Sequence, residues 1–108
     1  MKLGFELILY RDSSKRFPYS EWIQGLDGKT AGRIRSYVGR LKSGNFGNSR
    51  SVGHGVVELK IDFGSGYRVY YLRDGEEIVV VLCGGDKSSQ AGDIVRAWGY
   101  AVDYWERR

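Results

Sequence analysis

The chain has 108 residues, of which 42% are hydrophobic and 14% aromatic, so it can bury the core of one domain but not of two. It carries 17 Lys and Arg against 13 Asp and Glu, and this net charge of +4 weakly favours an acidic partner. Because it has no long apolar run and no signal-peptide pattern at Met1, we expect a cytoplasmic protein that does not cross a membrane. With one cysteine and one histidine in the chain, we expect no metal site and no cofactor.

Hydrophobic periodicity and turn residues predict the element order β-α-α-β-β-β-α. A short apolar run over residues 5–10 predicts the first strand. Pro18 suits the first turn of a helix that ends near Leu26, and apolar residues at helical spacing predict a second helix over residues 29–42. The turn-rich residues 43–49 predict a loop.

The second half of the chain predicts an antiparallel meander followed by a helix. Alternation over residues 56–63 predicts a half-buried strand, which the Gly64-Ser65-Gly66 turn joins to a strand over residues 67–72. Asp74-Gly75 then leads into an apolar strand over residues 77–83, which Gly84 and Gly85 are expected to end. We therefore expect an α+β domain spanning residues 1–108, with helices packed on a small antiparallel sheet.

Two aromatic side chains of the final helix and the single cysteine are expected in the core. Trp98 and Trp105 share the apolar stripe of that helix, which begins after Ser88 or Ser89. Cys83 lies in an apolar strand, which favours a packed thiol over a nucleophile.

Positive charge is concentrated in residues 28–57, which contain six basic residues and no acidic one. On the second helix, Lys29, Arg33 and Arg40 fall on one side of the apolar stripe and form a basic ridge. Such a ridge favours a polyanion or an acidic protein segment, although a solvated basic helix explains the same pattern. In the following loop, Asn45 and Phe46 either contact a nucleic-acid base or anchor the loop.

Cationic side chains are expected to meet at one end of the meander. Symmetric pairing across the glycine turn would place Asp62 opposite Arg68 and Lys60 opposite Tyr70. The chain leaves the last strand at the same end, so Lys87 should converge on Arg68. These groups suit an RNA phosphate, because metal-free RNA cleavage needs cations to stabilise the charge of the phosphorane. A cross-strand ion pair with solvated lysines is the structural alternative.

Four stretches of the chain together resemble the addiction module killer proteins, a branch of the RelE/ParE/HigB toxin superfamily. They are RLKSGNFG at residues 40–47, VGHGVVELKI at 52–61, GSGYRVYY at 64–71 and LCGGDKSSQ at 82–90. The resemblance covers nearly the whole chain, and the order of the four stretches makes it more specific than any one of them.

The resemblance implies a compact RelE-like fold and a cell-inhibiting toxin neutralised by a cognate antitoxin, usually a helix-turn-helix protein. Operator DNA would be reached only through that antitoxin. For RelE-like and HigB-like toxins the activity is endoribonuclease cleavage of mRNA in the ribosomal decoding site. Lys60, Arg68 and Lys87 fall on the cationic catalytic positions of the RelE pattern, and Tyr70 is a substitute for its missing tyrosine. The basic residues of the second helix and nearby loops would bind ribosomal RNA, namely Lys29, Arg33, Arg40, Lys42 and Arg50.

Three departures from the RelE pattern leave other functions open. Glu58 replaces a second cation, residues 90–93 offer no aromatic side chain, and the histidines that follow the last strand in HigB-like toxins are missing. A ParE-like toxin that inhibits DNA gyrase without a nuclease site is the first alternative. An inactive module that only binds its antitoxin or RNA is the second.

Overall fold

A computed structural model describes residues 4–108 as five strands and three α-helices. The strands are β1 (Glu6–Leu9), β2 (Ser49–Gly53), β3 (Val56–Ile61), β4 (Tyr67–Asp74) and β5 (Ile78–Asp86), and the helices are α1 (Pro18–Gln24), α2 (Gly28–Gly39) and α3 (Gln90–Arg107). Short 3₁₀ turns follow α2, at Arg40–Ser43, and β5, at Lys87–Ser89. No helix in this part of the chain is long and apolar enough to cross a membrane.

The five strands form one sheet in the order β1-β5-β4-β3-β2. Strand β1 runs parallel to β5, and the other neighbouring strands are antiparallel. One face of the sheet packs against α1 and α2, through residues such as Ile23, Ile34 and Leu59. The other face packs against α3, where Tyr70 and Leu82 meet Ala97. The central strands are therefore covered on both faces, which explains the apolar run of β5.

The predicted α+β class and the antiparallel meander are confirmed, but the sheet has two features that the sequence did not predict. Residues 49–53 form the edge strand β2, although its sequence SRSVG has the composition of a turn and is largely exposed. The first strand joins the far edge in parallel with β5. Both features depend on pairing with distant strands, for which local periodicity carries no signal.

The prediction that Gly84 and Gly85 end the last strand is wrong, because β5 continues to Asp86. A Cβ atom on Gly84 would lie 2.2 Å from a ring carbon of Trp22 in α1. On the opposite face, a Cβ atom on Gly85 would lie 1.8 Å from a carboxylate oxygen of Asp93 in α3. The two glycines therefore let helices approach the strand from both faces, a close contact that only glycine permits.

Helix α3 buries only part of the apolar stripe expected of it. Trp98 is half-buried, and its indole Nε1 donates a hydrogen bond of 3.0 Å to the carbonyl oxygen of Val52. Trp105 is 44% exposed, so its predicted place in the core is wrong.

Cys83 of β5 is buried as predicted, and burial raises the pKa of its thiol to about 12, which makes it an inert packed thiol.

Candidate functional site

A pocket of about 440 Å³ lies at the turn between β3 and β4, beside the turn that follows β5. Its lining combines three cations, one carboxylate, one aromatic ring and the glycine-rich turn: Lys60, Arg68, Lys87, Asp62, Phe63, Gly64, Ser65 and Gly66. The predicted convergence of Lys60, Arg68 and Lys87 is therefore observed, and three positive charges share one concave surface.

The register that brings these residues together differs from the predicted one. Lys60 pairs with Arg68, and Glu58, rather than Lys60, pairs with Tyr70. The last pair of the hairpin is Ile61 with Tyr67, so the turn is longer than predicted. Within this turn the amide of Phe63 donates a hydrogen bond to the carbonyl of Ile61, and the amide of Gly66 donates one to the carbonyl of Phe63. Relative to the prediction, the partner of Lys60 on β4 moves by two residues, from Tyr70 to Arg68. Because side chains alternate between the two faces with period two, Lys60 and Arg68 keep their predicted face of the sheet.

The turn after β5 carries Lys87 into the pocket. The Lys87 amide donates a hydrogen bond of 3.3 Å to the carbonyl of Gly66, which ties this turn to the β3–β4 hairpin. The Asp86 carboxylate accepts from the amides of Ser88 and Ser89 at 2.9 and 3.2 Å. The hydrogen bonds from Ser88 and Ser89 hold the pKa of Asp86 below its usual value, so the cap stays ionised at neutral pH.

Arg68 carries the strongest signal for an anion site. Its side chain is only 9% exposed, yet among the described residues its Nε and Nη1 atoms have no hydrogen-bond partner. The carboxylate of Glu58 supplies a counter-charge with one oxygen 3.8 Å from Nε, beyond hydrogen-bonding distance. Buried donors without partners are rare in proteins, and a guanidinium presents them in the planar arrangement that suits a phosphate.

Glu58 is the buried centre of a polar network beneath the pocket. Its carboxylate accepts hydrogen bonds from Arg50 Nε at 2.9 Å, Gln90 Nε2 at 2.8 Å and the hydroxyl of Tyr70 at 3.0 Å. Burial by itself would raise the pKa of Glu58, but these hydrogen bonds outweigh it and hold the pKa below the usual value. From the sequence, Glu58 was noted only because it replaces a cation of the RelE pattern. No role for Gln90 in this network was predicted.

Tyr70 supports the pocket from below and does not line it. Its side chain is fully buried, and its hydroxyl donates to Glu58. Burial and the neighbouring carboxylate raise the pKa of Tyr70 above its ordinary value, so the phenol stays protonated. A role for Tyr70 in catalysis therefore requires Glu58 and Arg68 as intermediaries.

Asp62 is the one carboxylate in the lining of this pocket. It does not pair with Arg68 as predicted, and instead lies 3.8 Å from the ammonium group of Lys60. With 76% of its side chain exposed, Asp62 is accessible to a molecule bound in the pocket.

The predicted RNA-binding residues do not form one surface. Arg33 on α2 places its guanidinium 4.7 Å from the ring centre of Phe63, and so adjoins the pocket. Lys29 is exposed at the start of the same helix. Arg40 instead covers Tyr37 at 4.4 Å. Lys42 lines a separate groove beside β1.

The remaining predicted RNA contacts serve the structure of the hairpin and loop. Arg50 pairs with Glu58 and thus belongs to the network beneath the pocket. Phe46 is half-buried and stacks on Tyr71 with the ring centres 6.1 Å apart, which anchors the loop. Asn45 is exposed, and its side-chain oxygen accepts a hydrogen bond of 3.2 Å from the amide of Gly47.

The chain is similar in sequence to a protein family and to a bacterial protein. Residues 21–96 match the family of phage-derived Gp49-like proteins (DUF891), and this stretch includes every residue that lines the pocket. A Haemophilus influenzae protein with the name "uncharacterized protein" is 44% identical over 80 residues, which cover 73% of this chain and 81% of the relative.

Proposed function

The chain belongs to the phage-derived Gp49-like family (DUF891), and on that premise we propose that it is the toxin of a type II toxin–antitoxin module and cleaves mRNA. The observation that carries the nuclease proposal is the Arg68 guanidinium, buried with unused donors in a pocket that also holds Lys60 and Lys87. A gyrase inhibitor would need a protein-binding surface. Its activity would give no reason for buried donors to stay unpaired.

The proposed reaction is attack of an RNA 2′-hydroxyl on the adjacent phosphorus. The Asp62 carboxylate accepts the hydroxyl proton as the new bond from O2′ to phosphorus forms. The donors of Arg68 bind the non-bridging oxygens, on which negative charge grows in the pentavalent transition state. The bond from phosphorus to O5′ then breaks, and a lysine ammonium of the pocket protonates O5′. The products are a 2′,3′-cyclic phosphate and a 5′-hydroxyl end.

The charge around the pocket supports a ribosomal setting for this reaction. Lys29 and Arg33 of α2 are exposed, and they form no ion pair with any residue in the range 4–108 that the structure describes. Exposed cations of this kind bind the phosphates of an RNA backbone, and ribosomal RNA offers a dense array of them. We therefore propose that mRNA is cut on the ribosome, and that an antitoxin, in this proposal a helix-turn-helix protein, neutralises the chain.

The test is a map of mRNA 5′ ends in cells briefly induced for the wild type, Arg68→Gln or Arg73→Gln. Arg73 is the matched control, because it lies on the same strand but outside the pocket, over the rings of Phe5 and Phe46. We expect new ends within translated codons for the wild type and Arg73→Gln, and none for Arg68→Gln. Arrested growth with intact mRNA would overturn the nuclease proposal and favour gyrase as the target. Normal growth with intact mRNA would favour an inactive binding module.

A further inference from the structure

Phe63 is the aromatic residue that lines the cationic pocket, and Arg33 covers its ring. The Arg33 guanidinium lies 4.7 Å from the ring centre, within the range of a cation–π contact. Phe63 itself is half-buried and packs against the core on the side of α1 and α2. The ring thus holds the guanidinium against the rim of the pocket, while the side chain of Arg33 remains exposed.

Apart from its contact with Phe63, no group in the described part of the chain pairs with this guanidinium. Arg33 forms no ion pair and no side-chain hydrogen bond with residues 4–108. The Phe63 ring lies 4.7 Å from the centre of the guanidinium, and the Arg33 side chain is exposed, so a second flat group has access to it. The bases of single-stranded RNA stack on guanidinium planes and aromatic rings.

We propose that Arg33 and Phe63 form a stacking platform for the base next to the scissile phosphate. This inference rests on the proposed function, because the phosphate held by Lys60, Arg68 and Lys87 fixes where the neighbouring base must lie. A nucleotide combines a phosphate with a flat base. The anion site suits the phosphate, and the flat cationic surface on the same rim suits the base. The platform would make cleavage depend on how well the adjacent base stacks, with purines favoured over pyrimidines.

A second pair on the same basic helix provides a matched control. Arg40 lies 4.4 Å from the ring centre of Tyr37, which is the same kind of contact at the same distance range. The two pairs differ in their aromatic residue, because Phe63 lines the pocket and Tyr37 does not. Arginine-to-lysine changes at the two positions keep the charge and remove the planar guanidinium.

The experiment maps and counts mRNA cuts in cells briefly induced for the wild type, Arg33→Lys or Arg40→Lys at equal protein levels. For Arg33→Lys we expect about tenfold fewer cuts, since stacking of one base is worth about 1–3 kcal/mol, and a loss of purine preference beside the cut. Arg40→Lys should retain the wild-type pattern.

The outcomes separate this inference from the proposal on which it rests. If Arg33→Lys matches Arg40→Lys in both cut number and base preference, the platform is overturned while the nuclease stands. A drop in cut number with unchanged base preference also overturns it, because the plane of Arg33 would then serve phosphate binding. If the wild type makes no cuts, the nuclease proposal fails and the platform fails with it.

Discussion

Arg68 is buried with part of its hydrogen-bonding capacity unused, which suits the anion-binding role that we propose for it. Its buried Nε and Nη1 atoms have no hydrogen-bond partner within residues 4–108, while Glu58 already receives direct hydrogen bonds from Arg50, Gln90 and Tyr70. Replacing Arg68 therefore removes unsatisfied donors without leaving the carboxylate alone.

The first prediction is that Arg68→Met abolishes mRNA cleavage but lowers the free energy of unfolding by less than about 1 kcal/mol. Urea unfolding of the purified variant at pH 7 measures this. Arg50→Met should cost more stability, because it removes the direct ionic partner of Glu58, at 2.9 Å. A larger loss for Arg68→Met than for Arg50→Met would show that the buried guanidinium is a structural group.

The second prediction concerns the pH dependence contributed by Glu58. Its folded-state pKa lies below its unfolded value, so its contribution to stability is present above about pH 4.3 and is lost as the pH falls through the folded-state pKa. Glu58→Gln should therefore destabilise the protein clearly at pH 7 and much less in acid. Urea unfolding of both proteins at pH 7 and near pH 3.5 tests this, and a gap that stays constant would contradict it.

The third prediction assigns the proton acceptor. Asp62→Asn should slow cleavage by about 10²–10⁴-fold, because it removes the carboxylate that lines the pocket. Its side chain is 76% exposed, so folding should be unaffected. Glu76→Gln, on the exposed turn before β5, is the control and should cleave normally. The measurement is the rate of reporter mRNA loss in a translation extract, and equal rates for the two variants would exclude Asp62.

At the scale of elements, the fourth prediction tests why β5 contains glycines. Gly84→Ala should destabilise the protein by about 1–3 kcal/mol, since the new methyl group would overlap the Trp22 ring. Gly32→Ala on the exposed face of α2 meets nothing within 4 Å and should stabilise by up to about 1 kcal/mol. Thermal unfolding compares the two variants. If Gly84→Ala left the stability unchanged, α1 would not pack closely against β5 at this position.

The elements divide into those that local pattern specifies and those that tertiary pairing creates. The alternation of residues 56–63 predicted β3, which ends two residues earlier at Ile61, and the helical spacing over residues 29–42 predicted α2, which gives way to a 3₁₀ turn after Gly39. Strand β2 was missed because its serines and glycine are typical of turns, and it forms only by pairing with β3. The hairpin register was wrong because two turns of different length fit the same glycines.

At the scale of the whole molecule, the site could be predicted in part despite the wrong register. Lys60 and Arg68 keep their common face because strand side chains alternate with period two, and Lys87 follows from the exit of β5. The hydrogen bonds of Glu58 and the pairing of Arg33 with Phe63 depend on distant elements and on side-chain conformation. No spacing in the sequence encodes them.

The most direct test of the nuclease account is the chemistry of the cut ends. Purified wild type or Arg68→Gln is added to a translation extract, and the ends of the fragments of a reporter mRNA are identified. The account predicts a 2′,3′-cyclic phosphate and a 5′-hydroxyl for the wild type, with full-length mRNA for Arg68→Gln. Full-length mRNA with the wild type, or fragments that begin with a 5′-phosphate, would contradict it.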